Sequence, residues 1–116
     1  VMRADQTIYP RGSNFKGYST PAPVVLNGKV HLFLTVVTDT PYEHVKIHHA
    51  VSDDGINNWT QDTTAIMNKE DQTWHTNDLI GPSAVLVNSQ VFLWYGGNAG
   101  TLDSLGLGAS TCELKK

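Results

Sequence analysis

Ile47-His48-His49-Ala50-Val51-Ser52-Asp53-Asp54-Gly55-Ile56-Asn57-Asn58-Trp59 joins a strand, a tight turn and the first residue of a return strand. Ile47, His49 and Val51 alternate with His48, Ala50 and Ser52, the period of two of a strand with two unlike faces. Asp53-Asp54-Gly55 supplies carboxylates that hydrogen-bond their own backbone and a glycine that takes positive φ without steric cost. Asn57 and Asn58 prolong the turn. Trp59 then opens the next strand with a side chain large enough to fold over the hairpin and bury apolar area.

Working outward, Asn27-Gly28 is the strongest two-residue hairpin signal in the chain, and it joins a short strand, Val24 to Leu26, to a β-branched and aromatic strand, Lys29 to Val37. Tyr18 to Pro23 carries two prolines and enters this strand extended, without full hydrogen bonding. Thr38 to Glu43 is a polar loop. Trp59 to Met67 is threonine-rich with alternating character and is predicted to be the fourth strand, followed by a polar loop from Asn68 to Asn77. Near the N-terminus, Gln6 to Tyr9 is a short strand closed by Pro10 and Gly12.

The pattern then returns. Pro21-Ala22-Pro23-Val24-Val25-Leu26-Asn27-Gly28-Lys29-Val30-His31-Leu32-Phe33-Leu34 aligns without a gap to Pro82-Ser83-Ala84-Val85-Leu86-Val87-Asn88-Ser89-Gln90-Val91-Phe92-Leu93-Trp94-Tyr95, and Ile47 to Ser52 aligns to Leu105 to Ser110. A unit of short strands and tight turns repeated at this length buries its faces by stacking on copies of itself, and four strands per copy make the blade of a β-propeller. The expected architecture is all-β, with two four-stranded antiparallel blades in a single unit, 1–116. An N-terminal arm spans 1–17, the first blade 18–67, a connecting loop 68–77 and the second blade 78–116. The second copy lacks a fourth strand of its own, and Gln6 to Tyr9, which resembles part of the first blade's fourth strand, is expected to complete it by pairing with Leu105 to Ser110 of the same or the adjacent chain.

Composition narrows the function classes. The chain has 116 residues, 40% of them hydrophobic and 16% charged, which suits one folded domain and not a disordered segment. With 8 Lys and Arg against 11 Asp and Glu the net charge is -3, and no basic cluster offers a nucleic-acid surface. No apolar run approaches the ~20 residues that span a bilayer as a helix. Val1 stands where a methionine would, with no charged-then-apolar leader after it, as in a chain processed or trimmed at its N-terminus. The single cysteine, Cys112, excludes an internal disulfide, points to no compartment and is expected to be a small core residue.

With both copies in view, the chain resembles the five-bladed propeller glycosidases that include arabinanases, β-xylosidases, levansucrases and invertases. The likeness rests on Pro-x-x-Val-Val-Leu-Asn-Gly-Lys-Val-His-Leu-Phe-Leu, Ala-Val-Ser-Asp-Asp-Gly-x-x-x-Trp, Gly-Pro-Ser-Ala-Val-Leu-Val-Asn, Phe-Leu-Trp-Tyr-Gly-Gly and Leu-Gly-Leu-Gly-Ala-Ser, and it runs from Tyr18 to Ser110. The resemblance implies a central funnel in which catalytic aspartates precede the prolines corresponding to Pro21 and Pro82. This chain has Thr20 and Gly81 there. Glycoside hydrolysis needs two carboxyl groups flanking the scissile bond, about 5–5.5 Å apart for retention or ~6.5–9.5 Å for inversion. Neither a hydroxyl nor a hydrogen supplies one.

The expectation is therefore a non-catalytic carbohydrate-binding or assembly module, with a glycoside hydrolase completed by neighbouring subunits or further chain as the alternative. Asp78, close ahead of Gly81 in sequence, is the catalytic candidate on the second reading, with Asp39 and Glu43. Trp74, His75, Asp78 and Thr20 are the ligand-binding candidates, Trp74 because a flat indole offers an apolar face to a sugar ring. His31, His44, His48 and His49 invite a metal reading, but His48 and His49 point to opposite sides of one strand and no three share a face at ligand spacing, so neither metal nor other cofactor is expected. Gly96-Gly97-Asn98-Ala99-Gly100 has no following helix and is not read as a phosphate cradle. Two blades close no ring alone. Head-to-tail association into a trimer of six blades, or a dimer of four, is the expected assembly.

Overall fold

Two antiparallel sheets are connected in simple up-and-down order. The computed structural model describes residues 15–38 and 43–114. In the first sheet β1 (Phe15–Leu26), β2 (Lys29–Thr38) and β3 (His44–Ser52) follow one another, and two short strands, β4 (Thr60–Gln61) and β5 (Met67–Asn68), both pair with β3. In the second, β6 (Asp78–Val87), β7 (Gln90–Asn98) and β8 (Gly106–Glu113) repeat the first three. The chain is all-β and built as two propeller-type blades. No described helix is long and apolar enough to cross a membrane.

The repeat read from the sequence extends to backbone conformation. Asn27 and Gly28 have φ of 52° and 75°, and their counterparts Asn88 and Ser89 have 49° and 66°. Both are two-residue turns whose central residues share positive φ, the form whose twist matches that of the flanking strands. Each leading strand also carries one bulge at the same place, between Ser19 and Ala22 in β1 and between Ile80 and Ser83 in β6. Inside these bulges Thr20 and Gly81 again share positive φ, 49° and 67°.

Two expectations need correction. The first strand is not confined to Val24–Leu26 but runs over 12 residues from Phe15. Pro21 and Pro23 are tolerated because β1 lies at the end of the strand order and, among the described residues, pairs only with β2, so an absent N–H breaks no second ladder there. The fourth strand is not continuous from Trp59 to Met67. It touches β3 at Thr60–Gln61 and Met67–Asn68 and loops away between them, held by the Asp62 N–H on the His49 carbonyl (3.1 Å) and the Ile66 N–H on the Ile47 carbonyl (2.9 Å). Gln6 to Tyr9 lies outside the described residues, among which the second blade has three strands.

The turn that opened the sequence reading is held by side chains. Asp54 Oδ1 accepts the N–H groups of Ile56 (2.8 Å) and Asn57 (2.7 Å), and Ser52 Oγ accepts those of Asp54 and Gly55. The Asn57 and Ile56 bonds hold the Asp54 carboxyl well below its ordinary range. Gly55 has φ +73°, and a Cβ there would stand 2.8 Å from Val30 Cγ2, so the turn closes directly on β2.

One core joins the blades. Ala22, Val24, Phe33 and Ile47 from one face of the first sheet meet Leu79, Val91, Leu93 and Tyr95 of the second. Alternation places these residues on facing sides, as in any pair of stacked sheets. It also fixes which polar side chains are trapped with them: His31 and His49 lie on the same inward face and are buried.

Candidate functional site

Three clusters hold the residues singled out from the sequence. The first surrounds the bulges of β1 and β6, the strands by which the two blades lie against each other. Thr20 is exposed there, and its Oγ1 is 2.6 Å from Thr35 Oγ1. A β-branched residue at positive φ is unusual, and its neighbours must hold it there. Gly81 meets no such cost, and a Cβ added to it would touch nothing.

The second cluster gathers the carboxylates. Asp78, the first residue of β6, reaches across to the start of β3, where its Oδ1 accepts the His44 N–H (2.9 Å) and lies 3.0 Å from His44 Nδ1. Glu43, next to His44, forms an ion pair with Lys69, both side chains being largely buried. Asp78 is thus a strap between blades, and Glu43 fastens the chain that leaves β5. Asp39 lies outside the described residues.

Trp74 and His75 form the third cluster, on a single 3-10 turn, Thr73–His75, between the blades. The indole lies nearly parallel to the Tyr95 ring, 5.8 Å between centroids and 20° between planes. It covers two glycines of β8: a Cβ at Gly106 would stand 2.9 Å from Trp74 Cε3, and one at Gly108 2.7 Å from Trp74 Cζ2. Burial, then Asp71, pushes the Tyr95 hydroxyl above its ordinary pKa. His75 is fully buried; its Nδ1 donates to the Lys69 carbonyl (2.7 Å), and its Nε2 is buried without a hydrogen-bond partner among the described residues. Trp74 also lines a cleft of about 450 Å³ with Asp71, Gln72 and Leu107. A Cβ at Gly97 would stand 2.5 Å from His75 Cβ, 3.0 Å from the Asp78 carbonyl and 3.2 Å from Trp74 Cζ3, so Trp74, His75 and the Asp78 backbone converge on that glycine.

The sequence reading missed a further constellation. His49 Nδ1 lies 2.9 Å from Asp62 Oδ2, and His49 Nε2 lies 3.0 Å from His31 Nδ1. His31 sits opposite Val51 and His49 opposite Phe33, so the two imidazoles are diagonal neighbours on one face of β2 and β3. Counting register outward from the turns would have placed them together. Asp62 required knowing where the fourth strand breaks. Among the described residues no group of three His, Cys, Asp or Glu side chains is arranged to hold a metal ion.

No protein-family model matches the chain, nor does any curated protein sequence. Solved structures do. A GH43 β-xylosidase/α-arabinofuranosidase from a compost microbial metagenome, solved with xylotriose in a calcium-free form, superposes with a TM-score of 0.71 at 15% identity, over 90% of this chain and 36% of that one. The fold is that of the glycosidase β-propellers. A GH43_1 enzyme from Xanthomonas citri, complexed with xylotriose, matches with a TM-score of 0.67 at 14% identity, over 81% of this chain and 28% of its own. An exo-1,5-α-L-arabinanase from a bovine ruminal metagenomic library gives 0.61 at 16% identity, over 90% and 34%. The chain spans about a third of the length of these structures.

Proposed function

We propose that this two-blade unit is a non-catalytic carbohydrate-binding and assembly module with a glycosidase-type fold. The observation that carries the reading is the equivalence of Thr20 and Gly81. Both occupy the positive-φ position of a bulge in the leading strand, and neither bears a carboxyl. The described carboxylates among the catalytic candidates are engaged, Asp78 with His44 and Glu43 with Lys69. Trp74 supplies an aromatic wall beside polar Asp71 and Gln72, a combination suited to a sugar ring.

Assembly is supported by the face of the second blade that turns away from the first. The alignment pairs Phe33 with Trp94 and Ile47 with Leu105, yet Phe33 and Ile47 are 0% exposed while Trp94 is 37% and Leu105 66% exposed. Val85 and Leu107 extend the same apolar surface. A face whose counterpart is covered by a blade is suited to take another, and a head-to-tail trimer is the preferred closure, with the dimer as the alternative. The second functional reading, a glycoside hydrolase whose carboxyl pair is completed by an adjoining blade, draws on the same open face.

Calorimetry with xylo- and arabino-oligosaccharides, run beside release of nitrophenol from aryl xylosides and arabinosides, separates these readings. Saturable binding lost in Trp74→Ala, with no turnover, supports the module. Turnover abolished by Asp78→Ala but not by Trp74→Ala overturns it in favour of the hydrolase. Light scattering at micromolar protein tests assembly, and a stable monomer of 12.7 kDa removes the ring.

A further inference from the structure

Asn58-Trp59-Thr60 is the one Asn-x-Ser/Thr triplet of the chain, the pattern on which transferases attach oligosaccharides to asparagine when the central residue is not proline. Such an enzyme must hold the amide and the hydroxyl at once, so a triplet buried in a core is of no use to it. Here both groups are accessible. Asn58 and Thr60 are exposed, and Trp59 between them is half-buried. Thr60 opens β4, which among the described residues pairs only with β3, through Val51 and Ala50, and so leaves its outer edge open. Asn58 lies outside any strand, at the exit of the Asp53-Asp54-Gly55 turn, with a φ of 51°. Asparagine tolerates that left-handed conformation better than most residues do. Its neighbour is spent on the turn: the Asn57 amide donates to Asp54 Oδ2 (3.2 Å), and the Asn57 carbonyl accepts from Ser52 Oγ. No such bond engages the Asn58 amide among the described residues, so the turn presents that side chain without depending on it.

We propose that Asn58 is the acceptor of an N-linked glycan, delivered from a lipid-diphosphate-linked oligosaccharide in a secretory compartment. In the transfer, Asn58 Nδ2 forms a bond to the anomeric carbon of the donor's first sugar, and the bond from that carbon to the diphosphate oxygen breaks. The lipid diphosphate leaves with the electron pair, and Nδ2 gives up one proton to a base of the transferase. The Thr60 hydroxyl supplies the second point of recognition. The position suits the fold. Neither Asn58 nor Thr60 belongs to the core that joins the blades or to the cleft beside Trp74, so the glycan attaches where it disturbs neither. It also stands beside the open edge of β4, where a bulky polar group blocks pairing with another chain. The inference does not rest on the carbohydrate-binding reading.

The test is expression of the full chain behind a cleavable secretion signal in a eukaryotic cell, with the intact mass read before and after treatment with peptide N-glycosidase. The secreted chain is expected to carry a single glycan, whose removal leaves aspartate at position 58 in the peptide map. Thr60→Ala is expected to lose the glycan entirely and Thr60→Ser to keep it in part. Thr64→Ala, exposed a few residues further on, is expected to keep it in full. If Thr60→Ala is not secreted, Asn58→Asp, which also tolerates the left-handed turn, replaces it as the variant that loses the glycan. A secreted chain of unmodified mass, a glycan on another asparagine, or a glycan that persists in Thr60→Ala overturns the proposal.

Discussion

Gly97→Ala should unravel the packing of the third cluster, while the adjacent Gly96→Ala should not. Neither glycine has positive φ, so backbone strain is not at issue. In a strand interior, alanine gains roughly 0.5–1 kcal/mol over glycine by restricting the unfolded chain. At Gly96 a Cβ meets Ile80 Cγ2 at 3.5 Å and the Ile80 carbonyl at 3.6 Å, ordinary contacts, so that gain is kept. At Gly97 it would stand 2.5 Å from His75 Cβ and 3.0 Å from the Asp78 carbonyl, neither of them the far end of a flexible side chain. Overpacking of this kind costs typically 1–3 kcal/mol, and the rigid neighbours argue for the upper half, leaving a net loss of about 2 kcal/mol after the alanine gain. With a urea m-value on the order of 1–3 kcal/mol/M, the midpoint should fall by about 1 M in Gly97→Ala and rise slightly in Gly96→Ala. Near-UV circular dichroism should report loss of the Trp74–Tyr95 stack in the first variant alone. Unfolding free energies for the two variants within about 0.5 kcal/mol of each other would refute the reasoning.

Ser89→Gly should stabilise the chain by about 1 kcal/mol in thermal or urea unfolding, because Ser89 holds a left-handed conformation that glycine adopts freely; a loss of stability would mean the turn is held by something else. Asp78→Ala should cost roughly 1.5–3 kcal/mol by removing the bonds of its carboxylate to the His44 backbone N–H and ring, whereas Asp78→Asn should recover part of the loss, and equal unfolding midpoints for the two would count against the strap. Stability should fall as pH drops below 6.5. Burial, followed by His49 and Lys29, lowers the pKa of His31 against the opposing pull of Asp62, and burial likewise lowers that of His48 against its bond to the His49 carbonyl and the charge of Asp62. The unfolded chain therefore binds protons first, so the stability held above 6.5 is lost as pH descends through the folded values. A urea midpoint flat between pH 7 and 5 would contradict this. Cys112, half-buried and with its pKa raised by burial, should react with iodoacetamide far more slowly in the native chain than in urea.

The local devices were legible in the sequence because each is decided by a few consecutive residues. Asn27-Gly28 and Asp54-Gly55 form the turns their φ preferences demand, and the alternation of Ile47, His49 and Val51 faces inward as its period requires. The repeat carried this information twice, and so it disclosed the second sheet with its strand order. Tertiary structure decided what depends on contacts between distant strands. Pro21 and Pro23 look like strand breakers until β1 is seen to be paired on one side only among the described residues. Trp59 to Met67 alternates like a strand, yet the bond from the Asp62 N–H to the His49 carbonyl is followed by a departure from β3. Asp78 is a lone carboxylate in the sequence and a strap to His44 in space. His31, His49 and Asp62 come from three segments, and only the diagonal register of β2 on β3, with the break in the fourth strand, aligns them into one hydrogen-bonded chain. Turn chemistry and periodicity are properties of adjacent residues, whereas a hydrogen bond between distant ones exists only after the core has fixed the register.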